Sequence, residues 1–484
     1  MPATAAAAAD AGAGAEEKED EVAVRLAGQG LSAWPALAGV EHLRNVVELD
    51  LSANLITEVP PSIGGLAGLE KLNLMGNRLQ TLPAEIAQLR RLVLLGLKDN
   101  LLEHLPALGG MARLEQLFLT SNRLTTLPEG LDALPRLRKL TAAWNPFASL
   151  PASLFRSRSL EFLRVSGAGH LAALPDTVGE ADRLAWISIA GNKPPLCPRW
   201  PPPRRAEAAI AAESLRLGER LGGGASGDVD AASFEGREVV VKWFKRDVDG
   251  ELARGPDGAA ADEVAVLRHL MAMRAEAGEE AGGGADGRGH VVTPLGSTRD
   301  AEGNEGFVFT REAGAVIASG RPNMASVLRC RYDAGAPMPY ARAHGACVSV
   351  ARALSYLHAI GVVHGDVYGH NVVEDGAGHA VLCDFGASFR SPANAPALAA
   401  AFAKMDVRAA AIFMAEMAEL CCAQLPPPSP DGAPPAGPQD ADRDRPLGLA
   451  LRDLARRTSA GPLATRPTAA ELVQLLAALA PDAP

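Results

Sequence analysis

The sequence predicts an α/β solenoid in its first half and, beyond a proline-rich break, a second domain that mixes strands with helices. Three observations carry this. A nine-residue pattern, L-x-x-L-x-L-x-x-N, recurs at 46–54, 69–77, 92–100, 114–122, 137–145 and 184–192, with a decayed copy at 160–168, so that successive ninth positions lie 22 to 24 residues apart. The run KPPLCPRWPPPRR, from Lys193, is too stiff to continue such an array. From Ser214 the chain reads as strand, glycine turn, strand and a β-branched strand ending in lysine.

These features divide the chain into an Ala-rich, acidic N-terminal segment and cap (1–40), a repeat domain (41–195), a Pro-rich linker (196–213) and a second domain (214–480). A length of 484 residues is ample for two cores. With 47 basic against 57 acidic residues, a net charge of −10, no basic stripe marks a nucleic-acid partner. The six cysteines form no C-x-x-C pair, which favours reduced thiols and a cytoplasmic location over a disulfide or zinc framework. The first twenty residues lack the basic start and apolar run of a signal peptide. The most apolar window, 397–423, is broken by Lys404, Asp406, Arg408, Glu416 and Glu419, so no membrane span is expected.

In each repeat a short strand turns its leucines inward, and the Asn of the following turn can satisfy backbone groups stacked between coils. One unit cannot bury its own leucines; seven in phase can. The period, with Leu-Pro pairs at Leu82-Pro83, Leu105-Pro106, Leu127-Pro128 and Leu150-Pro151, resembles a leucine-rich repeat array of the short type. Such an array offers a concave face. Phe118, Trp144, Phe162 and Trp186 fall on its solvent side beside Arg138, Lys139 and Arg164, a composition suited to a protein partner. The plainer alternative is that these rings pack on neighbouring repeats.

In the second domain, Gly222, Gly224, Gly227 and Val229 follow the pattern G-x-G-x-x-G-x-V, whose backbone amides can close over phosphates. Gly282, Gly284 and Gly287 match the glycine spacing equally but lie in a low-complexity run without a following strand lysine. Val239-Val240-Val241-Lys242 comes next, then Glu263 at the start of a helical stretch, with Glu251 as a second choice of partner for Lys242. Further on, His364-Gly365-Asp366 with Asn371, and Asp384-Phe385-Gly386, complete a set that resembles the protein kinases. Supporting matches are the helical run 351–358, Asp406-Val407-Arg408 and Arg466-Pro467-Thr468.

The whole chain is thus similar to a non-receptor leucine-rich repeat protein kinase. The resemblance implies an α+β bilobal fold with inserts near 253–261, 277–289 and 425–446, the last expected to be disordered. It implies ATP and Mg²⁺ as cofactors and transfer of the γ-phosphate to a protein Ser or Thr in intracellular signalling. Asp366 would accept the acceptor proton, Lys242 with Glu263 would hold the α- and β-phosphates, and Asn371 and Asp384 would ligate the metal.

The sequence also departs from that family. Gly365 stands at the arginine of H-R-D, Tyr368 at the lysine two residues after the catalytic Asp, and the segment 387–405 has no A-P-E, which leaves Arg466 without its glutamate. These departures keep open a pseudokinase scaffold and a small-molecule phosphotransferase. The evenly spaced His358, His364 and His370 suggest loop roles rather than a metal site.

Overall fold

A computed structural model describes residues 22–35, 45–201, 208–224, 226–247, 251–255, 259–277, 287–311, 316–317, 319–320, 328–332, 338–422 and 440–481. The Ala-rich start and the centres of the three inserts fall outside these residues. Residues 440–446, assigned from sequence to the last insert, instead belong to a helix.

The first half is one parallel sheet of eight strands in chain order: β1 (Val22–Arg25), β2 (Val46–Asp50), β3 (Lys71–Asn73), β4 (Leu94–Gly96), β5 (Gln116–Phe118), β6 (Lys139–Thr141), β7 (Phe162–Arg164) and β8 (Trp186–Ser188). The sheet therefore begins inside the segment read as a cap. Its first strand escapes the repeat pattern because, with Val24 in register with Leu49, Leu26 keeps the leucine of the tail but Gln29 stands where the asparagine would.

From β2 onward the register is one to one. Leu49, Leu72, Leu95, Leu117, Leu140, Leu163 and Ile187 form an inward column, and the six leucines of that column are wholly buried. Two outward columns flank it: Glu48, Lys71, Leu94, Gln116, Lys139, Phe162 and Trp186, and then Asp50, Asn73, Gly96, Phe118, Thr141, Arg164 and Ser188. The return segments are 3₁₀ turns, not α-helices. The proline of a Leu-Pro pair caps several of them, as Pro83 and Pro151 do at φ −70° and −59°, values that the proline ring fixes in advance.

The buried asparagines tie successive coils together. Asn100 Nδ2 donates to the carbonyls of Leu74 and Leu97, and its Oδ1 accepts from Leu79 N. Asn77, Asn122 and Asn145 repeat that arrangement. Each bond satisfies a backbone group that burial would otherwise strand at a cost of about 1–3 kcal/mol.

The second half opens with an antiparallel sheet of β9 (Arg216–Gly223), β10 (Gly227–Phe234), β11 (Arg237–Phe244), β12 (Gly296–Arg299) and β13 (Glu305–Thr310), ordered β12-β13-β11-β10-β9, with α1 (Ala260–Ala277) inserted after β11. Two further short sheets follow. One joins β14 (Val316–Ile317), β16 (Val372–Glu374) and β17 (Ala380–Leu382), and the other pairs β15 (Val362–Val363) with β18 (Phe389–Arg390). These are embraced by α2 (Tyr340–Ala359), α3 (Pro396–Cys422), α4 (Asp440–Ala460) and α5 (Ala469–Ala477).

The two halves share their cores. Val363, Phe389, Phe402, Met405 and Leu463 join the leucine cluster of the repeats, while Phe162, Ala185 and Trp186 join the cluster built on α2 and α3. Among the described residues, no helix is long and apolar enough to cross a membrane.

Candidate functional site

The site is assembled from the first antiparallel sheet on one side and the β15–β18 region on the other. Strand register sets Gly222, Val229 and Lys242 side by side across β9, β10 and β11. At Gly227 a Cβ would stand 2.2 Å from the carbonyl of Trp243, so the turn admits only glycine there, whereas at Gly222 and Gly224 a Cβ would meet nothing within 4 Å. The space beside those two glycines is open, and the Gly224 amide closes the turn by donating to Gly227 O at 2.8 Å.

Lys242 Nζ is ion-paired with Oε1 of Glu263, which the first turn of α1 presents, and lies 4.0 Å from Asp384 Oδ1. Burial opposes the ammonium, but Glu263 and Asp384 together more than offset it and raise the lysine above its ordinary value. Glu251, the other candidate, is exposed in a loop where its amide bonds Asp247.

Across the gap, Asn371 Nδ2 donates to the backbone oxygen of Asp366 at 2.8 Å and to its Oδ2 at 3.1 Å. These bonds fix the orientation of the amide and leave Oδ1 as its acceptor atom. Asp384 holds a left-handed backbone, φ 63°, and its side chain is 40 % exposed toward the gap. The hairpin β16–β17 joins these two residues, and Cys383 N donates to Asn371 O at 2.9 Å. Asp406 on α3 fixes the segment before Asp366: it accepts from the amides of His364 and Gly365, both at 2.9 Å, and contacts His358 Nε2 at 3.0 Å. The His364 ring is fully buried and leans on Phe385 with ring centres 5.3 Å apart. Each of the three evenly spaced histidines has a local partner, since His370 stacks on Tyr368.

The structure also brings to this place residues that motif reading did not assign to it. Trp186 of β8 lies flat on Tyr368, ring centres 4.5 Å apart and planes 4° off parallel, and its indole N–H donates to Val367 O at 2.9 Å. Ser188 Oγ donates to Ala387 O at 3.3 Å. Gly365 has φ +77°, and a Cβ there would stand 2.7 Å from Ile187 O and 2.9 Å from Ala387 O. An arginine at this position would collide with the repeat sheet. Arg466 donates to the carbonyl of Asp182, whose Oδ1 accepts from Leu463 N at 2.6 Å. Gly365, Tyr368 and Arg466, the arginine that the missing A-P-E leaves without its glutamate, therefore all lie at the contact with the repeats.

Of the aromatic residues assigned to a partner, Phe162 and Trp186 are buried against the chain's own second half. Trp144 sits not on a strand but in the turn after β6, with φ 57°; its indole donates to Gly255 O at 2.8 Å and Arg254 covers its ring. Phe118 is half-buried beneath Lys139.

The neighbourhood of Asp366 is charged from the repeat side. Arg164 lies within electrostatic reach of Asp366, Tyr368 and Asp384; burial lowers its pKa, and those three groups oppose the shift. Lys139 faces Arg164 and Asp366, and burial, with Arg164 adding, lowers it to about 8. Burial and the nearby Asp366 hold the Tyr368 phenol well above its ordinary value, so it stays protonated. Ser388 is fully buried with its Oγ on His364 O, which removes one of the two hydroxyls of the 387–405 segment from solvent.

Residues 32–201 match the family model described as a leucine-rich repeat region. No curated protein matches the chain. A solved leucine-rich repeat protein of Leptospira interrogans is 27% identical over 36% of this chain and 50% of that one, with a TM-score of 0.33. The chain thus spans half the length of that protein. Its first half is a leucine-rich repeat region.

Proposed function

We propose that the chain is an ATP- and Mg²⁺-dependent phosphotransferase of the protein-kinase type, acting on a protein Ser or Thr. The observation that carries this reading is the ion pair of Lys242 with Glu263, 4.0 Å from Asp384 and facing the bonded pair Asn371–Asp366. Lys242 would bind the α- and β-phosphates, and Asn371 Oδ1 with Asp384 would hold the magnesium. The metal, when bound, neutralises phosphate charge. Asp366 would take the proton of the acceptor hydroxyl. Asp406 keeps that loop in place through two backbone bonds.

A second reading has its own observation. Tyr368, two residues beyond Asp366, is buried under Trp186, which favours a nucleotide-binding scaffold in which this side of the loop is closed to a protein acceptor.

Transfer of labelled phosphate from ATP with magnesium tests the first reading, using the full chain and a generic basic protein as acceptors. Asp366→Asn should lower turnover by about 10³-fold, and Lys242→Met should also abolish measurable transfer. Equal background in all three proteins would move the assignment to the scaffold.

A further inference from the structure

We infer that the repeat sheet completes the phosphate-binding site of the second half, with Arg164 of β7 and Lys139 of β6 supplying the positive charge at the terminal phosphate that Tyr368 cannot. This rests on the phosphotransfer reading above.

Phosphoryl transfer concentrates negative charge on the terminal phosphate between the acceptor-proton base and the metal ligands, and it needs a cation there. The loop offers none. Its position two residues beyond Asp366 is Tyr368, a neutral phenol held beneath the Trp186 ring at 4.5 Å.

The repeats deliver the missing charge at that place by strand register. Trp186 is fixed to the loop by its bond to Val367 O, and Ser188 is fixed to Ala387, just beyond the Asp384-Phe385-Gly386 turn. In β7 the partner of Ser188 is Arg164, and the partner of Trp186 is Phe162, which in β6 faces Lys139. The two anchored residues of β8 therefore bring both cations along the next two strands toward Asp366, and Arg164 toward Asp384 as well, the groups that would bracket the terminal phosphate. The side chains are also pre-positioned. Arg164 stacks over the Phe162 ring at 4.8 Å, and Lys139 Nζ lies 5.0 Å from the same ring centre. A cation held against an aromatic face and away from bulk water keeps its direction and interacts more strongly with a phosphate.

The glycine at position 365 belongs to the same design. Any side chain there would push the loop off Ile187, and with it move β7 and β6 away from Asp366.

The test is binding, so that it does not depend on turnover. Affinities for ADP and for a non-hydrolysable ATP analogue, both with magnesium, are measured on the full chain, on Arg164→Gln, Arg164→Lys and Lys139→Met. Thermal melting of each variant checks the fold. The expected result is that Arg164→Gln and Lys139→Met weaken the analogue by about tenfold or more, leave ADP unchanged, and that Arg164→Lys retains the preference. Should Arg164→Gln melt, Lys139→Met decides alone. An unchanged analogue-to-ADP ratio in folded variants overturns the inference and reduces the two cations to docking contacts. Equal weakening of both nucleotides overturns it as well, since the effect would then lie on the cleft as a whole. A full chain that binds neither nucleotide defeats the phosphotransfer reading itself, and the inference with it.

Discussion

The two ends of the concave sheet share one backbone and one register but not one environment. At the β2–β3 end, Glu48 is ringed by Arg25 at 2.8 Å and Lys71 at 3.6 Å, and both basic side chains are more than half exposed. Such pairs contribute about 0–1 kcal/mol in water. At the β6–β8 end the same outward column becomes Lys139, Phe162 and Trp186, and Phe162 and Trp186 are buried against the second half. The inward leucines are alike along the whole length. What distinguishes the ends is confined to side chains that the repeat pattern leaves free, so the solenoid acts as a ruler and its outward positions determine where it docks.

The sharpest way to break that comparison is to truncate one residue at each end of the same column. Trp186→Ala removes the stack, the bond to Val367 and a fully buried ring, and should cost about 3–5 kcal/mol of unfolding free energy in urea titration. Lys71→Ala, in the same column, should stay within about 0.5 kcal/mol of the parent. Similar losses at both positions would mean that the ends are not different.

A smaller effect separates docking from backbone strain. Gly361 and Gly365 both hold positive φ, but a Cβ at Gly361 meets nothing within 4 Å while one at Gly365 meets Ile187 O and Ala387 O. Gly361→Ala should cost about 1 kcal/mol, the strain alone. Gly365→Ala should cost about 2 kcal/mol more, the added crowding, and should lower phosphate transfer. Equal costs for the pair would say that Ile187 does not press on the loop.

Much of this was legible from sequence because the information was local. The period of 22 to 24 residues names the leucines and the asparagine ladder directly, and Lys242, Glu263, Asp366, Asn371 and Asp384 do converge on one gap. The docking was not legible. Nothing in the linear order relates Trp186 to Val367, 181 residues away, and Lys139 and Arg164 read only as basic neighbours of an aromatic row. A signal was nevertheless present. Gly365 and Tyr368 break the kinase pattern, the missing A-P-E leaves Arg466 without its usual glutamate, and each of the three residues meets the repeats: Ile187, Trp186 and Asp182. A motif that fails at several points on one side marks a surface covered by something else.

A further expected effect is on pH dependence. Burial and Arg164 lower Lys139 from 10.5 to about 8, with Asp366 opposing. Between those values the unfolded chain binds the proton more readily than the folded one, so the lysine penalises folding below about pH 8 and stops doing so as pH rises toward 10.5. Its contribution to stability therefore grows with pH across that window. Urea midpoints measured through it should rise more steeply in the parent than in Lys139→Met; parallel curves would place Lys139 in water.

The most direct measurement is a double-mutant cycle on Trp186→Leu and Tyr368→Leu, read as unfolding free energy of the full chain. A stacked pair 4.5 Å apart should show a coupling of about 1 kcal/mol beyond the sum of the single changes. Strict additivity would contradict the contact between the repeat sheet and the loop that holds Asp366.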